Sequence, residues 1–119
     1  NLTAEALPVL RRGGGGVIVN VSSMASLDPF PGLGIYASAK AGLNMFTRVT
    51  AAEGAPDHIT ATVIAPGAIE TPMLRAVFDE QTIGPHQTLD PRTVAQLVTD
   101  CITGLHQFES GSLIELPSP

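Results

Sequence analysis

The 119-residue sequence predicts an α/β fold built on a parallel sheet. Three observations carry this expectation. Three short apolar or β-branched runs, VIVNV (17–21), ITATVIA (59–65) and SLIEL (112–116), have the length and composition of strands. Longer stretches with helical spacing lie between them. Clusters of glycine and proline mark the changes from one to the other.

The elements follow in order. LTAEALPVLRR (2–12) reads as a helix, with a kink or irregular turn expected at Pro8, which lacks an N–H and crowds the preceding turn. The run of four glycines at 13–16 stops it and reads as a flexible connection. It follows a helix and precedes a strand, the reverse of a phosphate-binding glycine turn. VIVNV has the character of a buried strand. The loop after it is punctuated by Pro29, Pro31, Gly32 and Gly34. IYASAKAGLNMFTRVTAAEG (35–54) predicts a long helix with Ala39, Gly42, Phe46 and Val49 as its apolar stripe and Gly54 as its stop. ITATVIA predicts a second buried strand, closed by Pro66 and Gly67. IETPMLRAVFDEQ holds a short helix within a longer loop. Asp90 is an N-cap with Pro91 at the first helical position. The helix they begin carries Val94, Leu97, Val98, Cys101, Ile102 and Leu105 on one face. Three strands are few for a sheet whose two faces both need cover, so a further part of the fold is expected.

Composition narrows the function. Hydrophobic residues make up 44% of the chain, as in a packed core. The formal charge is −5 and the six basic residues do not cluster, which speaks against nucleic acid. No apolar run has membrane-spanning length. The start NLTAEALPVL lacks the pattern of a signal peptide. Cys101 is the only cysteine, so a reducing, cytoplasmic compartment is expected. His58, His86 and His106 lack metal spacing and read as surface residues. Glu53, Asp57 and Asp79 read as solvated charges, and Cys101 as inert.

The pentapeptide YASAK (36–40) carries chemistry. Residues four apart share one helix face, so Lys40 lies near Tyr36. A free tyrosine has a pKa of about 10 and is a poor proton carrier at neutrality. A nearby ammonium favours the phenolate and moves the group toward acid–base work. Ser22 and Ser23 stand at the end of the first predicted strand, the ligand-binding end of α/β sheets.

GGVIVNVSSMAS, YASAKAGL and VIAPGAIETPM occur in that order on strand, helix and strand end. The combination resembles the short-chain dehydrogenase/reductase family, and the resemblance covers nearly the whole chain. It implies a Rossmann-type doubly wound parallel sheet, seen in residues 1–119 as a partial domain, the C-terminal half. It implies an oxidoreductase that moves a hydride between NAD or NADP and a small alcohol or carbonyl substrate. By resemblance Ser23 bonds the reacting oxygen and Tyr36 is the general acid/base. Lys40 assists Tyr36 and binds the nicotinamide ribose. Pro66 and Gly67 line the nicotinamide, with Gly67 permitting close approach. The Ile69 backbone meets the carboxamide, and the Thr71 hydroxyl bonds the same region. Met24, the 27–30 segment with Phe30, Met73, Leu74 and Phe78 wall the substrate side. A homodimer or homotetramer is implied, paired through the helix bearing Tyr36 and the one before it.

The sequence also departs from the family. It has no TGxxxG turn, no NNAG segment and no DGG-like finish. Asn1 stands nearest the place of the family's fourth catalytic residue, but about two helical turns too close to Ser23, and is not assigned. A competing reading is therefore a non-catalytic binding or oligomerisation module. The Ser23, Tyr36 and Lys40 set weighs against it.

Overall fold

In the computed structural model, which describes residues 2–119, the three predicted strands are present. Gly16–Val21 (β1), Ile59–Pro66 (β2) and Leu113–Leu116 (β3) lie side by side in that order, all parallel. Val17 stands opposite Thr60, and Val63 opposite Leu113. Every residue from Ala61 to Pro66 is buried, so both faces of β2 are covered. The predicted burial of β1 does not hold. Residues 16–20 are half-buried and Val21 is exposed, because β1 has a strand on one side only.

Gly34–Gly54 forms the long helix α2, which packs on β2. Its predicted apolar stripe points the wrong way. Ala39, Gly42, Phe46 and Val49 are all exposed, and the side turned to the sheet carries Thr47, Thr50, Ala51 and Gly54. The two threonine hydroxyls donate to carbonyls one turn back, at Leu43 (2.8 Å) and Phe46 (2.9 Å). Thr47 also accepts from the Asn20 amide of β1 (2.8 Å). Hydroxyls satisfied in this way can be buried at little cost, and small side chains let the helix lie close to the sheet.

Leu2–Arg12 forms helix α1, which runs through Pro8 without ending. The glycine run is an ordered stop rather than a flexible tether. Gly13, Gly14 and Gly15 each donate a backbone bond to the last turn of α1, and Gly16 donates to His58. Gly15 has φ +133°, and a Cβ there would lie 2.6 Å from the His58 carbonyl oxygen. Asp57, a solvated charge as read, meets Arg11 at 2.7 Å on the surface, between α1 and the turn before β2.

Pro72–Val77 (α3) is the short helix expected in the long loop after β2. Pro91–Thr103 (α4) starts as predicted, with Asp90 accepting from the Arg92 N–H and Pro91 at the first position. It packs against β1 with Val94 and Cys101 buried. The helix ends at Thr103 with Gly104 in the left-handed region, so Leu105 lies beyond it; Leu105 and Ile102 are exposed. Among the described residues no helix is long and apolar enough to cross a membrane.

Candidate active site

Ser23 follows the C-terminal end of β1, Tyr36 lies in the first turn of α2 and Lys40 one turn on, and Thr71 stands at the start of α3 after β2. β1 ends at Val21, and residues 24–26 then form one turn of 3₁₀ helix. Ser23 caps that turn, its hydroxyl accepting the Ala25 N–H at 3.2 Å. Among the described residues no protein group takes the hydroxyl's own proton. Tyr36 and Lys40 stand one turn apart on α2, with the Lys40 ammonium 5.7 Å from the centre of the Tyr36 ring, within cation–π reach. Lys40 Nζ donates to the Val21 carbonyl at 2.9 Å. That bond holds the ammonium at the end of β1, two residues before Ser23, and leaves it two further protons. Tyr36 is 37% exposed, so its ring is open to a bound molecule.

The turn bearing Ser23 is fastened to α2 by Ser22, which the sequence places at the strand end, and by Ser26 and Asn44, which carried no signal in the sequence. Ser22 is buried. Its backbone N–H donates to Ile64 of β2 (2.7 Å), and its hydroxyl donates to the Lys40 carbonyl (3.2 Å). The Ser26 hydroxyl donates to the Ser23 carbonyl (2.6 Å) and accepts from the Asn44 amide (2.8 Å).

The segment after β2 is held by contacts within the chain. Pro66 is buried at the strand end, opposite Leu116. The close approach at Gly67 is made by the chain itself: a Cβ there would lie 2.5 Å from the Ser118 backbone nitrogen. Gly67 N–H also donates to Leu116 (2.9 Å). Ile69 forms a parallel bridge with Leu89. Thr71 caps α3. Its hydroxyl accepts the Leu74 N–H (3.2 Å) and donates to the Ile69 carbonyl (3.3 Å), which leaves one lone pair for a ligand.

A polar clamp braces this loop. The Arg75 guanidinium grips both oxygens of Glu70, one at 2.7 Å, and also donates to the Ile83 carbonyl (2.7 Å). The Thr88 hydroxyl shares its one proton between the same carboxylate (3.0 Å) and the Pro85 carbonyl (2.7 Å). The Arg75 contact, with a smaller share from Thr88, holds the Glu70 carboxyl below its usual pKa, and Glu70 in turn raises Arg75. Asp79, another residue read as solvated, accepts from both the hydroxyl and the N–H of Thr82, which lowers its pKa.

Two residues of the expected substrate wall touch. Phe30 and Phe78 meet edge to face, centroids 5.6 Å apart, joining the loop after β1 to the end of α3. Met24 and Leu74 are half-buried, and Met73 is 70% exposed. Asn1 lies outside the described residues. Cys101 is buried away from the site, and burial pushes its thiol pKa up. Among the described residues no three His, Cys, Asp or Glu side chains group as metal ligands do.

Known proteins share this fold. A family model described as short chain dehydrogenase matches residues 1–82. A short-chain type dehydrogenase/reductase of Picea abies is 40% identical over 79 residues, covering 66% of this chain and 29% of that protein. Cyclopentanol dehydrogenase of Comamonas sp. (strain NCIMB 9872) is 30% identical over 118 residues, covering 92% of this chain and 47% of that one. Among solved structures, a 7α-hydroxysteroid dehydrogenase complexed with NADH and 7-oxo glycochenodeoxycholic acid superposes with a TM-score of 0.87 at 28% identity. That match covers 98% of this chain and 48% of the other. ElxO with NADP bound gives 0.81 at 28% identity, covering 96% and 50%. The chain thus spans half or less of the length of these relatives.

Proposed function

The chain belongs to the short-chain dehydrogenase/reductase family, and on that premise we propose that it serves NAD(P)-dependent interconversion of an alcohol and a carbonyl compound. The observation that carries this reading is the Ser23, Tyr36 and Lys40 set at the ligand-binding end of the sheet. The Tyr36 ring is open and the Lys40 ammonium has protons to spare.

These donors fit a nicotinamide nucleotide. Lys40 would hold the ribose hydroxyls with the protons not given to Val21. The backbone of Pro66 to Ile69 and the remaining lone pair of Thr71 would meet the nicotinamide end. When bound, the nicotinamide supplies or accepts the hydride. This chain's own part is the proton. Ser23 Oγ donates to the substrate oxygen and fixes its position. The Tyr36 hydroxyl gives that oxygen a proton in reduction and removes it in oxidation. Lys40 places its charge beside the Tyr36 ring. The Phe30 and Phe78 pair, with Met24, Leu74 and Met73, would bound the substrate carbon skeleton on an apolar side.

The test is a panel of secondary alcohols and ketones supplied with NAD(H) or NADP(H), using the protein at its full encoded length and nicotinamide absorbance. Saturable turnover with one nucleotide supports the reading and chooses between the two. Tight, specific binding of ligands with no turnover across the panel would favour a non-catalytic binding module.

Pairing with a second copy belongs to the same proposal. The outward face of α2 carries Ile35, 91% exposed, together with Ala39, Gly42, Phe46 and Val49. An apolar stripe of this length needs cover in water, and a two-fold contact would supply it. A monomer by light scattering at micromolar concentration would count against it. A cytoplasmic location rests on the single buried cysteine.

A further inference from the structure

The fastening of the Ser23 turn contains a fault that stability alone does not explain. Asn44 Oδ1 is buried and has no protein hydrogen-bond partner among the described residues. The amide cannot simply be turned over to cure this. The one proton of Ser26 Oγ is committed to the Ser23 carbonyl at 2.6 Å. A reversed amide would set its oxygen 2.8 Å from a hydroxyl with no proton left to give. The orientation is therefore fixed by Ser26, and the orphaned acceptor is the consequence. A buried polar atom left unpaired is unfavourable, and an apolar residue of similar size would remove the fault. Local rules of this kind are broken at functional sites, where geometry outweighs stability.

The geometry is specific. Asn44 lies one helical turn beyond Lys40 on the same side of α2, two turns beyond Tyr36. Through Ser26 it reaches the backbone of Ser23 itself, while Ser22 reaches the Lys40 carbonyl. Two connections therefore tie the Ser23 turn to the helix that carries the other two groups. Neither connection touches the open side of the site.

We infer that Ser26 and Asn44 are positioning residues: the Asn44–Ser26–Ser23 chain sets the distance and angle of the Ser23 hydroxyl relative to Tyr36 and Lys40. The inference rests on the catalytic reading of those three residues. A reacting oxygen must meet the Ser23 and Tyr36 hydroxyls together, and misplacement by about 1 Å costs on the order of 10²-fold in rate. Without the chain, the hydrogen bonds left between this stretch and α2 are those of Ser22 and Val21 to Lys40, which do not reach the backbone of Ser23.

The experiment uses the full-length protein with its preferred nucleotide and four variants. Asn44→Leu and Ser26→Ala should each lower kcat by about 10-fold to 100-fold and leave the KM for the nucleotide unchanged. Asn44→Leu should not lower the melting temperature, because it removes the orphaned acceptor. Ser26→Thr keeps the hydroxyl and should restore turnover. Amide exchange at Ala25 and Ser26, whose N–H groups bond to Ser23, should quicken in Asn44→Leu and Ser26→Ala but not in Ser26→Thr. Tyr36→Phe is the control for the underlying reading. Wild-type kcat and exchange in Asn44→Leu and Ser26→Ala, with Tyr36→Phe inactive, would overturn the positioning role alone. Normal turnover in Tyr36→Phe would overturn the catalytic reading, and the positioning role with it. If Asn44→Leu does not fold, the comparison of Ser26→Ala with Ser26→Thr decides: equal kcat in both would refute the inference.

Discussion

Replacing Thr47 by valine tests how α2 is held to the sheet. Thr47 is fully buried, with 0% of its surface exposed. Valine has nearly the same shape, so no cavity opens and the whole effect is electrostatic. The hydroxyl's donation to Leu43 is dispensable, because that carbonyl lies within the regular bonding of α2. The Asn20 amide is not so fortunate. It loses its acceptor at 2.8 Å and faces a methyl group instead. An unsatisfied buried donor costs about 1–3 kcal/mol. Asn20 is half-buried, which points to the lower part of that range, about 1–2 kcal/mol. The melting temperature should fall by roughly 3–8 °C. Urea unfolding should show a lower midpoint with an unchanged slope. The double variant Asn20→Leu, Thr47→Val removes both partners and should recover most of the loss, a coupling of about 1 kcal/mol. A Thr47→Val protein as stable as wild type, or a double variant carrying the sum of both losses, would refute the reasoning.

Two other predictions concern the segment after β2. Gly67→Ala should cost about 1–3 kcal/mol by forcing the chain at Ser118 outward; a variant of unchanged denaturation midpoint would show that this contact is slack. The Glu70 carboxyl is held below its ordinary pKa of 4.5 by Arg75 and Thr88. A lowered folded-state pKa means the stabilisation is complete above 4.5 and drains away as acid protonates the group. The stability advantage of wild type over Glu70→Gln should therefore hold at neutral pH and shrink as pH falls below 4.5 through the lowered value; an advantage that persists in strong acid would contradict the clamp.

The strands were legible because VIVNV, ITATVIA and SLIEL carry branched and apolar residues in short runs between glycine and proline signals. The pairing of Tyr36 with Lys40 was legible because helical spacing alone brings them together. The inward face of α2 was not. Hydrophobic periodicity assigns Phe46 and Val49 to the core, yet the helix buries Thr47 and Thr50, whose polarity is cancelled by bonds to their own helix. Asn44 and Ser26 lie 18 residues apart, and no periodicity links a 3₁₀ turn to a helix face. The same holds for Glu70, whose partners are scattered over 75–88. The second role of Thr71 was legible in part: a threonine followed by Pro72 is a helix-start pattern, and the cap uses the hydroxyl that was set aside for a ligand.

The measurement that bears most directly on the catalytic reading is the turnover of Tyr36→Phe in the full-length protein, followed by nicotinamide absorbance with the best substrate of the panel. The variant keeps the ring that faces Lys40 and removes only the proton-carrying oxygen. Turnover should fall by at least about 10²-fold to 10⁴-fold while nucleotide binding and the melting temperature stay at wild-type values. A folded Tyr36→Phe protein that binds nucleotide and turns over near the wild-type rate would contradict Tyr36 as the proton carrier.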